Sequence, residues 1–248
     1  MNVTTVGEGK VYLLNGNGRS FTDVAARFVS SEKSVNEIIA SPYSAKIVNN
    51  ILSRGHLACT EFDWYVFGIE GYSRVCETQL VRKRLASYMV KSGRLELNGK
   101  RKFEVTLPAS IQKHSVNIIH DGLPIYIDSN VICSFIERWY EAGIKKGVPE
   151  EDLRYLKPQA TSTRMLVGMN AHSLLDFFNR RCCNKAQYEI RDLANKMLRL
   201  VKANDPDVFA KAGPPCRSYG YCPENDAQCS QMKGKVLTLS EMVTKCHE

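Results

Sequence analysis

The sequence predicts an α/β protein of the α+β type, with a mixed or antiparallel central sheet flanked by helices. Two observations carry this. Short aromatic and β-branched runs bounded by turn residues fill the first half, and long amphipathic stretches fill the second. The runs are few and the helices many, so helices must cover the sheet.

The elements follow in order. Ser20 can cap a helix through about Val29, with Phe21, Val24, Ala25 and Phe28 on one stripe, and Ser34 can cap a second. Pro42 suits a first helical position. Ala45, Ile47, Val48, Ile51 and Leu52 then recur at helical spacing, with Gly55 as the stop. Phe62 to Ile69 reads as a strand. Ser73 caps a helix running through Val75, Leu80 and Val81 into Arg82-Lys83-Arg84. Leu95 to Leu107 reads as two strands joined at Asn98-Gly99, and Asp121-Gly122 as a turn. Ser129 to Lys146 is helical, with Val131, Phe135, Trp139 and Ala142 in phase, and Gly147 and Pro149 end it. A short acidic helix opens at Pro149. Ala160 to Met169 is a strand. Ala171 to Cys182 and Ala186 to Ala203 are helices, the second with Ala186, Ile190, Leu193, Met197 and Leu200/Val201 on one stripe. Residues 1–212 are expected to form one catalytic α/β domain. Residues 213–248, rich in Cys, Gly, Pro and Asn, read as an irregular tail.

The chain has 248 residues, 44% hydrophobic and 24% charged, which argues against disorder and long coiled coils. No apolar run reaches the ~20 residues that span a bilayer. The start, MNVTTVGEGK, lacks the basic residues and apolar block of a secretory signal, so cytoplasmic residence is expected. The net charge of +8 suits an anionic partner: nucleic acid, a phosphorylated small molecule or anionic lipid.

The densest cationic segment is Val81 to Arg94, with Arg82, Lys83, Arg84, Lys91 and Arg94 and no acid. It ends in Ser92-Gly93-Arg94. A hydroxyl, an uncovered backbone N–H and an Arg fork together can hold a phosphate, although the same residues also make an ordinary solvated basic patch. Arg154, Arg164, Arg180 and Arg181 are further cations, and His56, His114, His120 and His172 are possible ligands or bases. No P-loop or dinucleotide glycine fingerprint occurs. Nine cysteines are present, none in a recognisable nucleophile setting. Cys216, Cys222, Cys229, Cys246 and His247 offer enough ligands for zinc, but no close CxxC pair exists and no metal is assigned.

Together these segments resemble the flavin-dependent thymidylate synthases, the ThyX family. The hallmark RHR-x₇-S, continuing as SxR, reads here Arg82-Lys83-Arg84, seven spacers, then Ser92-Gly93-Arg94. SRVCETQLV, EEDLRYLKP, MNAHSLLDFFNRRCCNKAQYEIRDLANKML and GPPCRSYGYCPEN match other family segments in order. The resemblance implies a ThyX-like fold and FAD-dependent reductive methylation of dUMP at C5 to dTMP. NADPH and methylenetetrahydrofolate would be co-substrates. It implies dUMP binding by Gln79, Arg82, Ser92, Gly93, Arg94, Arg154 and Arg181, with Arg181 stabilising charge on the uracil ring. It places His56, Glu61, Arg82, Arg84 and Asn170 at the flavin. It also implies a homotetramer with active sites between subunits, and neither nucleic acid nor membrane as partner.

The chain departs from the family pattern at Lys83 (usually His), Met89-Val90 (Asn-Glu), Ala58 (Thr or Ser), His172 (Arg) and Asp176 (His or Asn). These departures keep two alternatives open. One is a paralogue that hydroxymethylates dUMP or methylates UMP; the other is a non-catalytic nucleotide or nucleic-acid binding protein.

Overall fold

The computed structural model describes residues 1–15, 20–92, 103–232 and 236–247. In chain order the first elements are β1 (Asn2–Thr5), β2 (Lys10–Leu13), α1 (Phe21–Ser30), α2 (Val35–Ala40) and α3 (Ala45–Ser53). A 3₁₀ turn (Leu57–Phe62) leads to β3 (Trp64–Ser73), α4 (Arg74–Leu80), β4 (Ala86–Val90), β5 (Glu104–Leu107) and α5 (Ala109–Gln112). Next come β6 (Ser115–His120), β7 (Leu123–Asp128), α6 (Ser129–Lys145) and α7 (Glu150–Leu153). A 3₁₀ turn (Arg154–Leu156) precedes β8 (Ser162–Asn170), α8 (Ala171–Arg181) and α9 (Tyr188–Asn204). The chain closes with α10 (Pro215–Ser218), β9 (Tyr221–Cys222), β10 (Leu237–Thr238) and α11 (Leu239–His247).

The expected mixed α/β class is what the chain adopts. A four-stranded sheet has the order β2-β3-β8-β4. The β1–β5 and β9–β10 pairs are parallel, and β6–β7 is antiparallel.

Two compact units are present. The first comprises Met1–Lys10, Ile69–Arg82 and Met89–Met165. Its core includes Ile69, Tyr72, Cys76, Leu80, Tyr140 and Leu153, with a cluster of Phe103, Val105, Leu107 and Cys133. Gly9 is demanded by packing: a Cβ there would stand 2.5 Å from the buried Tyr72 ring.

The second unit comprises Val11–Gly68, Lys83–Tyr88 and Leu166–Glu248. The Phe209 ring packs edge-on against Tyr65 at 5.3 Å and Phe178 at 6.1 Å. α9 buries Ile190, Leu193, Met197 and Val201, the stripe its periodicity predicts.

The caps Ser20, Ser34 and Ser73 form as their side chains dictate, Ser34 in a full capping box with Glu37. Several expectations are corrected. α3 is capped by Ser44, so Pro42 lies outside it. The strand expected from Phe62 starts at Trp64 and runs to Ser73. α4 stops at Leu80, and Ala86–Val90 of the basic segment is strand β4. β5 pairs in parallel with β1, and the first of the two strands expected between Leu95 and Leu107, with its Asn98-Gly99 turn, lies outside the described residues. Phe135 and Trp139 of α6 are exposed, and the buried face is Cys133, Tyr140 and Gly143. The segment read as irregular contains α10, β9, β10 and α11.

Candidate active site

In the second unit, an acid missed in the sequence reading organises the neighbourhood. Asp63 is 7% exposed. Its carboxylate accepts the Ser20 hydroxyl at 2.6 Å, the Phe21 N–H at 2.6 Å, and the Thr22 N–H at 3.1 Å and hydroxyl at 2.5 Å. A buried carboxylate thus satisfies the open N–H groups that begin α1. Its carbonyl accepts the Ala171 N–H at 2.8 Å, which fixes the start of α8. Glu61 lies two residues before this anchor, and Asn170 and His172 flank its partner.

Three side-chain pairs form around α8. His172 Nδ1 lies 3.0 Å from Glu61 Oε1, leaving Nε2 as the other ring nitrogen. Lys83 Nζ lies 2.6 Å from Asp176 Oδ2, and Arg180 Nε lies 3.0 Å from Asp176 Oδ1. Burial alone would raise the Asp176 carboxyl, but the two cations override it and hold it below its ordinary value. Asn170 uses its side-chain carbonyl to cap α8 through the Ser173 N–H at 2.8 Å. Its amide N–H₂ remains to donate to a ligand.

The loop bearing Lys83 and Arg84 is pinned by side chains. The Tyr88 hydroxyl donates to the Lys83 carbonyl at 2.9 Å, and burial pushes that phenol up to about 12. The Ser173 hydroxyl donates to the Leu85 carbonyl at 3.1 Å. Leu85 holds φ of +57°, a region costly for a branched side chain, so these contacts impose the turn. Arg84 and His56 are exposed, and Arg181 is half-buried in the last turn of α8. A mostly apolar cavity of about 310 Å³ flanks His56, its walls including Gly55, Leu57, Leu175, Asn179 and Tyr219.

In the first unit the expected nucleotide ligands stand on separate elements. Gln79 is half-buried on α4, and Arg82 is exposed in the turn after it. Ser92 is exposed just beyond β4, whose end is tied to β8 through the Lys91 N–H and the Arg164 carbonyl at 2.8 Å. Arg154 is exposed and donates through Nε to the Glu151 carbonyl at 3.1 Å. Gly93 and Arg94 lie outside the described residues.

Burial raises the thiols of Cys59, Cys133, Cys182 and Cys216, Cys182 to about 12, the opposite of an activated nucleophile. No helix among the described residues is long and apolar enough to cross a membrane.

The family model described as "Thymidylate synthase complementing protein" matches residues 15–207. A flavin-dependent thymidylate synthase of Geobacter sulfurreducens is 36% identical over 211 residues, covering 84% of this chain and 87% of that protein. One of Pyrococcus furiosus is 39% identical over 187 residues, covering 73% of each. Among solved structures, a UMP/dUMP methylase, PolB, of Streptomyces cacaoi, bound with 5-Br dUMP, matches with a TM-score of 0.66. It has 17% identity and covers 85% of this chain and 96% of that one, a likeness of fold. The chain therefore belongs to the thymidylate synthase complementing protein family, that of the flavin-dependent thymidylate synthases.

Proposed function

We propose that this chain catalyses FAD-dependent reductive methylation of dUMP at C5, giving dTMP, with methylenetetrahydrofolate as carbon donor and NADPH as reductant. The observation that carries the reading is the pinned Lys83–Tyr88 loop beside the start of α8. Lys83 pairs with Asp176 and the Leu85 carbonyl accepts the Ser173 hydroxyl, so the turn that carries Arg84 is tied to α8, the helix that Asn170 caps.

The site's donors fit a flavin nucleotide. The Arg84 guanidinium and the His56 imidazole suit a diphosphate, the Asn170 amide suits a ring carbonyl, and the Glu61–His172 pair fixes a ring nitrogen in place. Bound flavin would supply hydride and one-carbon chemistry. The protein's part is binding and polarisation. Gln79, Arg82, Ser92, Gly93, Arg94 and Arg154 hold dUMP, the arginines through its phosphate. Arg181 stands by the uracil ring, where its fixed positive charge stabilises negative charge at N3 and the adjacent carbonyl. That makes C5 nucleophilic without a covalent thiol. Arg82 serves both ligands.

The active form is a cytoplasmic homotetramer in which exposed Arg82, Ser92 and Arg154 of one chain meet residues of another. Residues 1–212 carry the catalysis, and 213–248 form an appended segment.

Substitution at C5 expels its hydrogen. With dUMP tritiated at C5, the complete mixture should release tritium to water, and Arg181→Ala should not. Full retention of tritium by the wild-type protein contradicts the proposal. The Lys83–Asp176 pair, Val90 and His172 favour a second reading, delivery of a hydroxymethyl group or use of UMP, which the product's mass separates.

A further inference from the structure

One segment of the first unit is fully paired along its backbone and yet uncovered. Asp121 and Gly122 hold φ of +50° and +77°, as a two-residue type I′ loop requires, and they join β6 to β7 in a hairpin. The ladder is complete, from Ser115 opposite Asp128 at the base to His120 opposite Leu123 at the tip. Side chains alternate across a ribbon, so each cross-strand pair shares a face. One face takes Val116 with Ile127, Ile118 with Ile125, and His120 with Leu123. The other takes Ser115 with Asp128, Asn117 with Tyr126, and Ile119 with Pro124. That second face is partly polar, and on it the Ser115 hydroxyl donates to the Tyr126 hydroxyl. The first is aliphatic except for His120 at the tip.

An aliphatic face at period two is the pattern of a buried strand face. Here Val116, Ile118, Leu123 and Ile125 are 57%, 43%, 69% and 38% exposed. A two-stranded ribbon is at best marginally stable in water until its apolar face is packed. α6 begins where β7 ends, at the Asp128 cap, and adds a second exposed row of Ile132, Phe135 and Trp139. Its other side buries Cys133, Tyr140 and Gly143. A helix that is apolar on both sides is one covered on both sides.

The charges on the hairpin identify its occupant. The tip carries the Asp121 carboxylate, whose side chain is 89% exposed, and exposed Lys113 stands just before the base. Two hairpins laid tip to tip would oppose two Asp121 carboxylates. Laid head to tail, the tip of each meets the Lys113 ammonium of the other. One element thus holds both an apolar face and the two charges that complement it, which is what a closed two-fold interface demands. We propose that the β6–β7 hairpin is a docking arm for a second copy of this chain. The faces bearing Val116, Ile118, Leu123 and Ile125 pack against each other head to tail about a two-fold axis, with Asp121 of each copy beside Lys113 of the other. A stable pair buries about 800 Å² on each copy, more than a two-stranded ribbon offers, and the exposed α6 row supplies the remainder. The inference names one interface of the homotetramer proposed above and rests on that assembly, not on its chemistry.

The test is sedimentation equilibrium of the full-length protein and its variants over a range of concentrations. Ile118→Lys combined with Ile125→Lys should halve the mass of the wild-type assembly. Ile119→Lys, on the opposite face of the same hairpin and 79% exposed, should leave it unchanged. Lys113→Glu sets two carboxylates against each other at each end of the interface. It should weaken association at least about twofold, the lower end for two exposed ion pairs. Adding Asp121→Asn, which keeps a residue tolerant of positive φ at the tip, should recover part of that loss. Where the double lysine variant fails to fold, the Lys113 and Asp121 variants decide, since both positions lie outside the ladder. An assembly that keeps its mass in the double lysine variant overturns the hairpin pairing and leaves the tetramer standing. Equal dissociation by Ile119→Lys, or no recovery on adding Asp121→Asn, also overturns the pairing. A wild-type monomer overturns the pairing and the tetramer together.

Discussion

The carbonyl of Asp63 accepts the N–H of Ala171 at 2.8 Å while its carboxylate accepts the N–H of Phe21 at 2.6 Å. One residue therefore fixes the starts of α1 and α8. Asp63→Ala leaves the first-turn donors of α1 and two hydroxyls without their acceptor. It should destabilise the protein by about 3 kcal/mol or more, as expected for several hydrogen bonds to a buried charge. Urea unfolding checks this, and a loss below about 1 kcal/mol contradicts the anchor.

Asp176 titrates below an ordinary carboxyl because Lys83 and Arg180 outweigh its burial. Its folded value lies below its unfolded one. The stabilisation is therefore fully present above the unfolded carboxylate range, about 4, and is lost as the pH falls through the folded value. The site is partly exposed, so the effect should stay within about 1 kcal/mol. Stability of wild type and Asp176→Asn, measured against pH, should differ near neutrality and converge in acid. Parallel curves would remove the ion pair from the account.

Arg154→Ala should weaken dUMP binding by about 1.5–3 kcal/mol, the value of a charged hydrogen bond. That corresponds to roughly 10- to 150-fold in Kd at 1.4 kcal/mol per decade. Calorimetry reads it directly, and an unchanged Kd refutes the phosphate contact.

Gly9→Ala places a methyl group against the buried Tyr72 ring, with 2.5 Å available. Overpacking of this kind costs about 1–3 kcal/mol. A melting temperature equal to that of the wild type would show that the ring yields freely.

What was legible in the sequence was mostly local. Ser20, Ser34 and Ser73 cap helices through contacts only a few residues away, and α9 shows its buried stripe in its own periodicity. The family resemblance singled out Glu61 and Asn170 for the flavin; in the structure Glu61 contacts His172 in the first turn of α8 and Asn170 caps that helix. What was not legible depends on distant partners. Ala86–Val90 becomes a strand because β8 pairs with it, whatever its basic flank suggests. Asp63 falls inside the strand expected from Phe62, and its role as an acceptor shows only once α1 packs against it. Phe135 and Trp139 have the right spacing for a buried face, but α6 turns Cys133 and Tyr140 inward instead. The Lys83–Asp176 pair joins two departures from the family pattern that look unrelated along the chain.

Arg181 carries the central chemical claim. Arg181→Ala should lower kcat at least about a hundredfold, the scale of losing a preorganised charge at the reacting group. The oligomer and flavin content should stay intact, and near-normal kcat would remove Arg181 from that role.

The most direct measurement is mass spectrometry of the nucleotide after incubation of the protein with dUMP, methylenetetrahydrofolate, NADPH and FAD. The account predicts dTMP. Unchanged dUMP, under conditions where the protein retains flavin, contradicts it.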